Sequence, residues 1–308
     1  VLAKTGYSAS LVFYDAMLTD VTEPERMDTV SSQGFAWGYI GSCIPFVASL
    51  AVVLGGGKLG MSLQASMITA FLITAVWWLL SAVPLLISYQ QKYYVETTEH
   101  VIRNSFARLG KTLKDIRGQK HIFVFLLAFF FFIDGVYTII DMATAYGQAL
   151  GLDSTGLLLA LLLTQIVAFP SVLILNRAAK KFNPTSILTL CIGAYLFISF
   201  FAYGLDTQAE FWILAVLVGM FQGTIQALSR SYFGKIIPAE KAGEYFGLYD
   251  ICGKGAAILG TTLVSVMTQL TGRMNLGVSA ISVLFIIGLF LFRKAVKLNE
   301  SHSAQTVK

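Results

Sequence analysis

Few side chains in this 308-residue chain could do chemistry away from water, and those few recur at helical spacing. Asp134 follows the aromatic run Phe129–Phe132, and Thr138 and Asp141 return to its face after four and three further residues. A carboxylate there could bind a cationic group or carry a proton. The plainer alternative is that it caps a break in its own helix before Gly135. Gln222, Gln226 and Arg230 recur every four residues on another apolar stretch. The two amides suit hydrogen bonding to a polar solute, or equally bonding between helices. Arg230 stands nearer the end of that stretch, where a carboxylate or helix-end carbonyls would hold it, and Asp15 is the candidate partner. Asp250 and Lys254, four apart, can neutralise each other along one helix or form a gate that closes in one state only. Tyr7 and Tyr14, one heptad apart, could line a path beside them, although tyrosine is also common at membrane interfaces. Cys43, Cys191 and Cys252 stand far apart without a CxxC or histidine cluster and read as packing residues, so no metal or cofactor site is expected.

These groups are costly where they stand. An ionisable side chain at mid-bilayer costs roughly 2.5–3.5 kcal/mol on insertion scales, and the chain around them is built for lipid. Apolar residues make up 56% and charged residues 13%, about half the charge of an ordinary soluble domain, and mean hydropathy is +0.71. That composition excludes a water-soluble enzyme and a disordered tail. Net charge of +5 would fit a nucleic-acid binder, but the positions of the charges do not. The reading is an all-α polytopic membrane protein. Charge-free spans of crossing length run over 34–57, 59–91, 154–176, 182–205, 211–229 and 274–292. Two more, 122–146 and 245–270, contain internal charges, and a shorter ninth covers 2–18 with Lys4 and Asp15 near its ends. Continuous apolar runs without strand alternation make these helices rather than barrel strands.

Nine crossings place eighteen basic residues in one set of loops and two, Lys58 and Arg273, in the other. The positive-inside rule then puts the C-terminus in the cytoplasm. An odd count leads to the expectation of further helices ahead of Val1. The longest polar segment separates 1–88, holding three crossings, from 120–293, holding six; 89–119 is a cytoplasmic linker and 294–308 a cytoplasmic tail. Within the linker Ile102, Phe106, Leu109, Leu113 and Ile116 repeat at helical spacing among basic residues. That pattern fits an amphipathic helix on anionic lipid or a solvated linker helix.

A weak parallel repeat is present. Near Leu18 a helix gives way to Thr22-Glu23-Pro24-Glu25-Arg26, where Thr22 and Glu25 fit a capping box, then to a helix with Gly34, Gly38, Gly41 and Pro45. Near Phe233 a helix gives way to Pro238-Ala239-Glu240-Lys241, then to a helix with Gly247, Gly253, Gly255 and Gly260. Parallel halves joined by a long cytoplasmic linker are a transporter layout.

Three segments carry a family resemblance: Leu11–Leu18 with its Thr-Glu-Pro-Glu-Arg loop, Ile133–Ile139, and Gln222–Tyr232 running on to Glu244–Asp250. On these the chain resembles the vacuole-effluxer branch of the major facilitator superfamily, which includes autophagy-related vacuolar amino-acid exporters and bacterial relatives. The resemblance implies a major facilitator fold in which the nine crossings are helices 4 to 12 of twelve, with helices 1 to 3 lying upstream. It also implies that helices 1, 4, 7 and 10 line a central cavity. The polar stripes fall on 4, 7 and 10, giving Tyr14, Asp134, Thr138, Gln222 and Gln226 as a substrate path and Asp15, Arg230, Asp250 and Lys254 as gating or paired charges. The expected function is secondary active transport of a small polar solute by alternating access, with amino acids as favoured cargo and sugars or drugs as alternatives. No GxxxxGK[ST] phosphate loop occurs, so a solute, proton or sodium gradient would supply the energy. The expected setting is a monomer in a bacterial cell membrane, with a vacuolar or other endomembrane as the alternative. A non-transporting membrane scaffold or sensor is the rival class. A membrane enzyme is disfavoured, because His100, His121 and His302 lie at loops or edges and no serine or cysteine within a membrane span has a histidine neighbour in sequence.

Overall fold

A computed structural model describes residues 2–94 and 100–306, without the side chains of 2–4, 101, 102, 256, 257 and 306. Among the described residues every regular element is a helix. The first half contains α1 (Leu2–Ala16), the single turn α2 (Leu18–Val21), α3 (Met27–Gly55) and α4 (Leu63–Ser88). The long polar segment carries α5 (Val101–Gly118). The second half contains α6 (Lys120–Ala149), α7 (Ser154–Phe182), α8 (Pro184–Phe201), α9 (Gln208–Ile236), α10 (Ala242–Thr271), α11 (Met274–Ala280) and α12 (Ser282–Thr306).

Local chemistry sets these boundaries. Asp153 accepts the Gly156 N–H at 2.7 Å to start α7, and Asn183, at φ +74°, accepts the Thr185 N–H to start α8 directly after α7 ends. A reciprocal capping box of Thr207 and Glu210 starts α9. The box expected at Thr22 and Glu25 does not form. The chain there enters a short 3-10 turn over Pro24–Arg26 whose N-cap is Glu23, with no side-chain cap.

Among the described residues eight helical segments are long and apolar enough to cross a bilayer. The expected ninth, at the front, divides at Met17, leaving α1 with 15 residues. The side chain of Lys4, also part of that expectation, lies outside the described residues.

The core sits in the second half, where Phe125, Phe129, Phe233, Tyr249 and Phe292 join α6, α9, α10 and α12 through stacked and edge-on rings. By contrast α4 buries only Ser66. Helix α5 and the residue after it dock on α10 and the turn that precedes it. Thr112 donates to Glu244, Lys241 pairs with Asp115 at 3.3 Å, and Gln119 donates to the Tyr245 hydroxyl. Its apolar stripe is therefore divided: Ile116 is buried and Leu109 packs on the core, while Phe106 and Leu113 stay exposed. The Ile102 side chain lies outside the described residues.

Candidate functional site

The polar side chains gather where α1 and α3 face α6, α9 and α10, around a cavity of about 530 Å³. From α1 come Tyr7, Tyr14 and Asp15, and from α3 comes Phe35. Opposite them stand Phe129, Tyr137 and Asp141 on α6, Gln226 on α9, and Tyr249, Asp250 and Lys254 on α10. The lining thus combines aromatic faces with charges of both signs, contributed by both halves of the chain.

Arg230 reaches the cavity wall through Asp15. Its guanidinium is 4% exposed and meets Asp15 at 3.1 Å. Nε donates to Ser31 Oγ at 3.0 Å and Nη2 to the Ser31 carbonyl at 3.5 Å, while the Tyr14 and Phe35 rings each lie 5.0 Å from Cζ. Ser31 in turn donates to the Ala227 carbonyl at 2.8 Å. A planar fork with fixed donors suits this crowded site, where a lysine could not serve every partner. One turn nearer the loops, Asp28 of α3 accepts from Lys235 at 2.5 Å and from Ser231 at 2.7 Å. Three polar side chains of α9 are therefore laced to α1 and α3 at the end that carries the basic loops.

Asp250 and Lys254 pair at 2.6 Å along α10, and Lys254 also donates to the Ser8 carbonyl of α1 at 2.7 Å. The intrahelical pair is thus also a tie between the halves. Gln226 donates to the Tyr39 hydroxyl of α3 at 3.1 Å.

The other expected path residues stand apart from the cavity, which corrects the expectation of one shared stripe. Asp134 and Thr138 lie in the seam between α6 and α10. There the Gly260 N–H donates to Asp134 Oδ1 at 3.0 Å and the Thr138 hydroxyl donates to the same oxygen at 3.4 Å. The alternative role for Asp134, a cap on a break in its own helix, is also corrected, since α6 runs unbroken from 120 to 149. Gln222 is buried beside a separate apolar pocket of about 40 Å³, with Thr164 and Phe211. The stripe divides because successive turns of a largely buried helix meet different neighbours.

Several polar contacts escaped sequence reasoning. Asp28 and Ser31 sit at a helix start, where polar residues are ordinary. Asp20, buried after α1, accepts from the Tyr89 hydroxyl and from the N–H groups of Lys92 at 3.2 Å and Tyr93 at 3.1 Å, pinning the start of the linker. Burial, then the Asp20 carboxylate, raise the pKa of the Tyr89 phenol. Among the described residues no three His, Cys, Asp or Glu side chains gather as metal ligands.

Comparison with known proteins gives this arrangement a family setting. A profile of the family described as "Vacuole effluxer Atg22 like" matches residues 15–306. The uncharacterized MFS-type transporter YxiO of Bacillus subtilis (strain 168) is 46% identical over 292 residues, which take in 94% of this chain and 68% of that protein. Autophagy-related protein 22 of Saccharomyces cerevisiae (strain ATCC 204508 / S288c) is 27% identical over 289 residues, covering 81% of this chain and 54% of that protein. The chain therefore spans about half the length of that fungal relative. Among solved structures, the major facilitator superfamily transporter FucP in its outward conformation superimposes with a TM-score of 0.62 at 15% identity, over 92% of this chain and 72% of its own. A bacterial homologue of the iron transporter ferroportin, outward-facing, gives 0.59 at 15% identity over 99% and 71%. At such identity these two speak for the major facilitator fold alone.

Proposed function

Because the chain belongs to the Atg22-like vacuole effluxer family of multi-pass membrane transporters with the major facilitator fold, we propose that it carries a small polar solute across a membrane by alternating access. The observation that carries this reading is the cavity of about 530 Å³, lined from both halves, with the Arg230–Asp15 pair at its wall. A rocking carrier needs a solute site between its halves and polar ties that can be exchanged when they rock. In this reading the ties of Arg230 with Asp15 and of Lys235 with Asp28 hold the cytoplasmic end closed. That assignment follows the basic loops, which put the C-terminus in the cytoplasm.

Amino acids are the proposed cargo. Lys254 offers a cation for a carboxylate, Asp141 a carboxylate for an ammonium, and the aromatic walls an apolar face for the side chain. Protons or sodium supply the gradient, the working unit is a monomer, and a bacterial cell membrane is the proposed setting, in keeping with the Bacillus relative. The test is counterflow in proteoliposomes holding the full-length protein. Labelled L-amino acids should exchange faster than in empty vesicles, and Arg230→Ala should abolish the excess. If amino acids, sugars and organic-cation drugs all equilibrate at the empty-vesicle rate, the protein is no carrier and the sensor class replaces this reading.

A further inference from the structure

The carboxyl of Asp134 is a buried titratable group that the solute cavity does not use. It is 0% exposed. Both of its donors, the Gly260 N–H and the Thr138 hydroxyl, point at Oδ1. Oδ2 is equally buried and has no hydrogen-bond partner among the described residues. An amide in mid-helix ordinarily bonds along its own helix, so the Gly260 contact places a side chain of α6 directly on the backbone of α10. A Cβ at position 260 would strike Thr138 Oγ1 and lie 2.9 Å from Asp134 Oδ1. The seam leaves no room for anything larger than glycine.

Among the described residues no cation balances this carboxyl. On α6 the other titratable groups at membrane depth are Tyr137, Asp141 and Tyr146, and the Tyr146 hydroxyl donates to the Ala202 carbonyl. Along α10 the nearest cation is Lys254, six residues away and already held by Asp250 and the Ser8 carbonyl. From α12, Phe285 presses on Gly135, and its helix carries no charge between 282 and 292. Tyr195 of α8 stacks on Phe285, and its hydroxyl is likewise buried without a partner. The Arg230 guanidinium of α9 is taken by Asp15, and the cations of α7 lie in its last turns, at 177, 180 and 181. A bare, unpaired carboxylate oxygen in such surroundings is expensive. A carboxylic acid whose carbonyl oxygen takes both donors and whose proton sits on the other oxygen is far cheaper.

We propose that Asp134 holds the proton this carrier exchanges during its cycle, out of contact with the solute, and signals its presence to α10 through Gly260. The proposal rests on the transport reading above. In the state seen here the proton is trapped on Oδ2. When Lys254 lets go of Ser8, α10 shifts against α6 and water enters the seam. The O–H bond then breaks, its electron pair stays on the carboxylate, and a water molecule takes the proton. Reprotonation from the opposite side lets Gly260 seat again, which returns Asp250 and Lys254 to the cavity. Asp134 is on this account a coupling residue that positions α10, not a solute ligand.

Asp134→Asn tests the proposal, because the amide keeps an acceptor for Gly260 and cannot exchange a proton. Two readouts on the full-length protein separate the ideas. Infrared titration of the solute-free protein should show a carboxylic-acid C=O band near neutral pH that Asp134→Asn removes. In proteoliposomes loaded with a pH dye and given a mixture of L-amino acids, the variant should lose proton influx at least tenfold, while amino-acid counterflow stays within about twofold of wild type. An unchanged infrared band, or a variant that keeps its proton influx, overturns the assignment. Equal loss of influx and counterflow also overturns it, leaving a structural role. If the wild type exchanges none of the amino acids, the amino-acid cargo is wrong and the infrared band alone decides for Asp134.

Discussion

Arg230 on α9 and Asp15 on α1 meet at 3.1 Å, 215 residues apart in sequence, at the wall of the cavity between the two halves. The pair is unequal in setting: the guanidinium is 4% exposed and the carboxylate 19%. Arg230 also has Ser31 and two aromatic rings, whereas Asp15 depends on Arg230 for its charge balance.

Removing one partner of a buried pair costs about 3–5 kcal/mol, mostly by stranding the other charge. Arg230→Ala should therefore lower the melting temperature of the detergent-solubilised protein more than the double variant Asp15→Ala/Arg230→Ala does. Arg230→Lys keeps the charge but cannot serve Ser31 and Asp15 together, and should cut counterflow at least tenfold. Additive melting shifts in the double variant would show that the two side chains do not act as a pair.

The Asp20–Tyr89 contact predicts a pH dependence of definite sign. Its phenol pKa is raised in the folded protein. The added stability is thus full below the ordinary tyrosine value of about 10 and fades as pH climbs above it. Tyr89→Phe should cost roughly 1 kcal/mol at neutral pH. The gap in melting temperature between wild type and variant should narrow progressively in alkaline buffer. A gap that widens there would mean the phenol is not the neutral donor to Asp20.

Glycine at 260 is predicted to be required by space rather than by backbone freedom. Gly260→Ala pushes a methyl into Thr138 and Asp134, and overpacking of this kind costs about 1–3 kcal/mol. Adding Thr138→Ala removes the hydroxyl the methyl strikes and should restore part of the melting temperature. Gly255→Ala, on the same helix with open space around its α-carbon, is the control and should behave like wild type.

How far the sequence alone could reach depends on what each polar residue touches. The helical class was legible because the apolar runs exceed crossing length without alternation. The Asp250–Lys254 pair was legible because four residues is one turn. Asp15 and Arg230 were paired on matching positions in a parallel repeat, information that does not depend on knowing which faces meet. Asp134 and Gln222 are different. Helix α6 is apolar on every side, so hydropathy has no outer face against which to orient the polar one. What decides is Gly260, a residue whose role shows only when a second helix is laid against it. Asp20 and Asp28 were invisible for a simpler reason: at the ends of membrane helices an aspartate costs nothing, so its presence raises no question.

Lys254 gives the sharpest ranking of variants. Its ammonium serves two acceptors, Asp250 at 2.6 Å and the Ser8 carbonyl at 2.7 Å. Lys254→Gln removes the charge, weakens the tie to α1 and leaves Asp250 uncompensated in the cavity wall. Asp250→Asn leaves the ammonium its carbonyl acceptor and adds no stranded carboxylate. Initial counterflow rates should therefore fall most in Lys254→Gln, by tenfold or more, and least in Asp250→Asn, by roughly threefold. The double variant should lie between them, since it strands no charge but still lacks the tie to Ser8. If Asp250→Asn proves the more damaging single change, the carboxylate has a use of its own, and the pair is then better read as a solute ligand held in place by Lys254.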